Sequence, residues 1–111
     1  KTTPNYEEQN LNYLVEDLEY AIITISKAND YYMSDNAGVI AKSIELLEEK
    51  DYLMLDQQLK DYFEFAIIAG DGDAIEIKAI SKKDSPFGKG EYLVYRVSNQ
   101  EVSGTLLKYK K

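Results

Sequence analysis

The stretch "GDGDAIE", residues 70–76, sets Asp71, Asp73 and Glu76 close together. Carboxylates in a glycine loop are the ligand type that calcium takes, a hard ion that gathers several oxygens. The stretch lacks the third aspartate position, the glycine placement and the distal glutamate of an EF-hand loop. Asp and Gly also tolerate positive φ in a tight turn, so a plain hairpin turn is the favoured reading. Calcium is the one cofactor these residues suggest, and no other is expected.

Other chemistries find less. The chain has no histidine and no cysteine. That removes the usual general base, the commonest transition-metal ligand and all thiol chemistry. The serines have no histidine to activate them, and no G-x-S-x-G is present. "GKGE", residues 88–91, lacks the remainder of a phosphate-binding P-loop. Glu48, Glu49 and Asp51 read as a solvated acidic helix end. Acids are plentiful, yet no pair stands out as glycosidase carboxylates. A non-enzyme is the expectation.

The elements that must position these residues are legible from periodicity. The chain of 111 residues suits one domain, 1–111. It is 44% hydrophobic and 30% charged, the balance of a soluble globular protein. No run reaches the ~18 apolar residues of a membrane span, and no signal peptide is visible. Lys1 rather than Met opens the chain, so this carries no weight against a leader or anchor. The net charge of −7 disfavours nucleic acid and anionic lipid as partners. Residues 1–61 hold 13 acids and 5 bases, a net −8, and residues 62–111 hold 7 acids and 8 bases, a net +1. Such polarity suits solubility, or a subunit that stacks one flank on another.

Apolar residues recur at Leu11, Leu14, Val15, Leu18, Ala21, Ile22, Ile25, Ala28 and Tyr32. That spacing predicts one long helix over 7–34, ending where Asp35, Asn36 and Gly38 interrupt it. Within "NDYYMSDNAGV", Tyr32 continues the buried stripe and Tyr31 falls at the rim. A second helix is predicted over 39–53 and a short helical connector over 55–61. The period then shortens to two. Strands are predicted over 62–70, 74–80, 91–98 and 101–107, with a loop at 81–90 and a basic "KYKK" tail. Phe63, Phe65 and Ile67 should share one side, as should Ile75 and Ile77. Helices followed by strands give an α+β fold: a long N-terminal helix packed on a three- to four-stranded antiparallel sheet, with a short second helix.

Three stretches together resemble the soluble head of type IV pilins and pseudopilins. They are the helix ending "YYMSDNAGV", the segment "SIELLEEKDYL" at 43–53, and the strands "YFEFAIIAGDGDAIEIKAI" and "GEYLVYRVSNQEVSG". The likeness covers roughly residues 10–107. Asn36-Ala37-Gly38 stands near the family's Asn-Gly, without its following Tyr-Pro. The family's apolar N-terminal segment and the C-terminal cysteine pair of many pilins are absent from these 111 residues. The resemblance implies a bacterial envelope protein, periplasmic or at the cell surface, anchored in the inner membrane by a segment preceding this chain until it joins a helical filament. Its partners would be copies of itself or related pilin-like subunits, and its action assembly rather than catalysis. A basic leader and an apolar stretch should then be encoded ahead of Lys1.

A helix over 7–34 would be ~42 Å long, against about 17–20 Å for a typical strand. Leu11, Leu14, Val15 and Leu18 are therefore expected to project and meet another subunit. The competing arrangement covers them within the monomer, by the second helix or a bend. The competing function is a small cystatin-like binding module, which would use its loops and an exposed sheet face carrying Tyr92 and Tyr95.

Overall fold

The computed structural model describes residues 11–69 and 75–110. The long helix α1 runs Leu11–Asp35, and the predicted residues 7–10 lie outside the described ones. No Gly or Pro interrupts it, and the continuous apolar stripe overrides the strand preference of its β-branched "AIITI" segment. Its end is a Schellman turn. The Gly38 N–H returns to the Met33 carbonyl at 2.8 Å, while Ala37 takes the left-handed conformation at φ 57°. Asn36 Nδ2 also donates to the Tyr32 carbonyl at 2.8 Å.

Helix α2, Ile44–Glu49, is shorter than the 39–53 expected. Ser43 caps it, its Oγ accepting the Leu46 N–H at 3.1 Å, so the helix cannot begin earlier. Before it the chain is not helical, and the Ala41 N–H is given to Asn29 instead of a helical carbonyl. After it, Asp51 turns left-handed at φ 67° and the Tyr52 N–H returns to the Leu47 carbonyl at 2.8 Å. The expected connector is helix α3, Gln57–Tyr62. Glu48 ties α2 to α3: its carboxylate accepts from Lys60 Nζ at 3.1 Å and from the Leu55 N–H at 3.2 Å. The reading of Glu48 as merely solvated is thereby corrected.

Four strands follow: β1 Phe63–Ala69, β2 Ile75–Ser81, β3 Tyr92–Arg96 and β4 Glu101–Ser103. They form one antiparallel meander in the order β1-β2-β3-β4. Ala69 pairs with Ile75 at the closing end of the first hairpin. The inner face carries Phe63, Phe65 and Ile67 on β1, Ile75, Ile77 and Ala79 on β2, Leu93 and Tyr95 on β3, and Val102 on β4. The α+β architecture expected from the pattern is the one observed, with α1 packed on β2 and β3.

The end of the sheet departs from expectation. The stretch 101–107 is not one strand. Gly104 breaks it at φ 128°, and Thr105–Tyr109 winds into a 3₁₀ helix that also packs on α1. Leu106 is fully buried there, and Lys110 Nζ reaches Glu19 of α1 at 2.8 Å. At 1.5 Å per residue α1 is about 37 Å long, so the sheet alone could not cover it. Helix α2 and the 3₁₀ helix extend that cover.

Candidate assembly surface

The apolar stripe of α1 is spent inside the monomer. Leu14, Val15 and Leu18 are wholly inaccessible and Leu11 is 8% exposed. The expectation that these four project toward another subunit is therefore corrected. The stripe is sound, but the sheet and the distant 3₁₀ helix pack against α1, and sequence spacing alone does not show which element covers a stripe.

The acidic candidates also separate. Asp71 and Asp73 lie outside the described residues. Glu76 sits on β2 opposite Arg96 of β3. Its Oε2 accepts from Arg96 Nε at 3.2 Å and Nη2 at 3.1 Å, so the carboxylate is engaged across the strands. Among the described residues no cluster of acids could hold a metal ion, and no helix is long and apolar enough to cross a membrane.

Among the described residues, the surroundings of two groups displace their pKa from its ordinary value. The Tyr52 hydroxyl donates to Asp35 Oδ2 at 2.6 Å, and that bond, followed by partial desolvation and the Asp35 charge, raises its pKa. Glu91 is lowered, first by a hydrogen bond from Thr105 and further by Lys108 at 3.4 Å, against some desolvation. Both are ties between segments of the fold.

The outer face of α1 is a different matter. Tyr13, Tyr20 and Tyr31 are 57%, 76% and 69% exposed. Eighteen positions separate Tyr13 from Tyr31, which is five turns at about 3.6 residues each. Tyr20 falls roughly 20° from the same line. Three rings thus share one face, turned away from the sheet. Beside Tyr20 opens a groove of about 360 Å³ between α1 and the α2–α3 connection, lined by Ala21, Thr24, Leu55, Leu59 and Met54. Met54 is 92% exposed. Glu16, Asp17, Lys27 and Asp30 flank the rings, an acidic excess on an aromatic face.

A second surface carries the opposite charge. The loop between β2 and β3 holds Lys82, Lys83 and Lys89 against Asp84 and Glu91, an excess of one positive charge, and Glu91 is itself paired with Lys108. The loop is fixed from inside. The buried Ser81 Oγ donates to the Gly88 carbonyl and accepts the Glu91 N–H at 2.8 Å. The buried Ser85 Oγ accepts the Phe87 N–H at 3.1 Å. Phe87 packs on Phe63 at 6.1 Å and on Tyr109 at 4.8 Å between ring centres. Lys83 and Lys89 are thus exposed on a loop whose backbone is already ordered.

Tyr95, expected on an exposed sheet face, is buried beneath α1's side of the sheet, and only Tyr92 faces outward, under Lys78 Nζ at 5.1 Å. The cystatin-like alternative loses one of its two named contacts. No protein-family model, curated protein or solved structure matches the chain.

Sequence reasoning passed over the tyrosine line, although its signal was present. Spacings of 7 and 18 residues are close to whole numbers of helical turns, so aromatic residues at those spacings must share a face.

Proposed function

We propose that this chain is the head of a structural subunit of a bacterial filament of the type IV pilus or pseudopilus kind, acting by assembly rather than catalysis. One observation carries the reading: the long helix hides one face on a meander sheet and presents a line of exposed tyrosines on the other. Tyrosine gives large contact area for little lost side-chain freedom and is enriched where proteins meet. Exposed aromatic surface repeated along one helix face supports an interaction role. The element order, a long helix, a connecting region with short helices, then an antiparallel meander, is also that of the pilin head the sequence resembles.

On this reading the protein resides in the cell envelope. An apolar segment ahead of Lys1 holds it in the inner membrane before assembly, and its partners are copies of itself or related subunits. The test is immunogold labelling of envelope filaments with an antibody raised against this chain, together with the codons preceding Lys1. Labelled filaments and a basic leader followed by an apolar stretch are expected. Unlabelled filaments in cells that make the protein, or an ordinary cleaved secretory signal, would sink the proposal.

A further inference from the structure

We infer that the tyrosine face of α1 docks on the lysine-bearing β2–β3 loop of a second copy, in a head-to-tail contact. The inference rests on the subunit reading above and specifies which surfaces meet.

Charge selects the counter-surface. The tyrosine face carries Glu16, Asp17 and Asp30 against Lys27, and two such faces would repel one another. The β2–β3 loop carries the complementary sign. Lys82 Nζ is already bonded to the Lys60 carbonyl at 2.9 Å, which leaves Lys83 and Lys89 to reach outward. An ammonium over a tyrosine ring is attracted by the ring's electron-rich face as well as by nearby carboxylates. The protein uses that pairing internally, with Lys78 over Tyr92 and Lys108 over Tyr109.

Geometry selects the symmetry. The rings look away from the sheet, whereas the loop stands at the sheet end where Ser81 meets Glu91. One copy therefore offers both halves of the contact on different sides. A contact between unlike surfaces repeats indefinitely unless its rotation closes a ring. The exposed parts of three tyrosines and one methionine amount to roughly 600 Å². A stable pair needs ~800 Å² per partner. The isolated contact is therefore weak, and a polymer gains by repeating it and by any further contact made alongside.

The chain contains no cysteine, so introduced thiols report without background. Thr24→Cys, beside the Tyr20 ring, and Asp84→Cys, beside Lys83, are made singly and together in the full chain, which keeps the rings and lysines of the contact, then treated with a short bis-maleimide at low and high salt. The expected result is a ladder of multimers from the double variant, at least tenfold above either single variant and weakened at high salt. Dimers from Thr24→Cys alone would mean that like faces meet, and would overturn the inference. An absent ladder overturns it too. If envelope filaments still label with the antibody, the subunit reading survives that loss, and if they do not, both fall. A ladder without labelled filaments supports the contact and removes the filament.

Discussion

Asn29 of α1 holds the backbone of Ala41: its Oδ1 accepts the Ala41 N–H at 2.9 Å, and both residues are buried. Its Nδ2 is used as well, on Met33 Sδ at 3.3 Å. This one side chain fixes where the chain leaving α1 turns toward α2. Replacing it by alanine orphans a buried N–H, which costs about 1–3 kcal/mol. Asn29→Ala should lower the unfolding free energy by that amount, read as a lower urea midpoint with an unchanged slope. A variant as stable as the parent would show that the bond contributes nothing.

Gly104 ends β4 at φ 128° with Tyr92 and Leu93 directly behind it. An alanine Cβ would fall on the Tyr92 carbonyl oxygen and 2.9 Å from Leu93 Cα, backbone atoms that cannot swing aside. Gly38 also has positive φ, at 80°, but open space where its Cβ would go. Gly38→Ala should cost about 1–2 kcal/mol for the left-handed conformation alone. Gly104→Ala should cost clearly more, because the 3₁₀ helix that helps cover α1 begins at the next residue. Thermal unfolding of the two variants side by side distinguishes conformational strain from collision.

Glu91 makes the stability of the fold depend on acid pH. Its folded pKa lies below the ordinary value, chiefly through Thr105 and then Lys108. A depressed carboxyl pKa adds stability that is complete above the unfolded value of about 4.3 and disappears as pH falls through the folded one. Glu91→Gln should therefore unfold more readily than the parent at pH 7. The gap should close as pH drops below that unfolded value. A gap that stayed constant down to strongly acid pH would assign the effect to something other than this charge.

Much of this fold could be read from residue spacing, and the failures have definite causes. The stripe from Leu11 to Tyr32 spans so many turns that no other element fits it. The alternation in 75–81 and 92–96 likewise fixed which side chains face α1. Local pattern could not show that Ser43 would cap α2 late, because Val39 and Ile40 continue its apolar spacing. Nor could it show the 3₁₀ helix, since 101–107 has the composition of a strand apart from Gly104. The link between Glu19 and Lys110 spans most of the chain, and no local pattern reveals it. That distant cover is why spacing alone leaves the apolar stripe looking free to project.

The distinction between the two faces of α1 has a direct mutational consequence. Leu18 is wholly buried and Tyr20, two positions on, is mostly exposed. Leu18→Ala should cost about 2–5 kcal/mol, a large part of the ~5–15 kcal/mol that holds a domain together. A polar residue at Leu14 or Leu18 should do worse, so loss of filaments in such a variant would report an unfolded head. Tyr20→Ala removes a ring from solvent and should shift stability by no more than about 0.5 kcal/mol. Urea unfolding of both variants, followed by assembly assays on the folded one, separates folding from association. An unaffected Leu18→Ala would mean that the 3₁₀ helix and sheet do not enclose the stripe. A folded Tyr20→Ala chain that still assembles normally would remove the outer tyrosine from the contact.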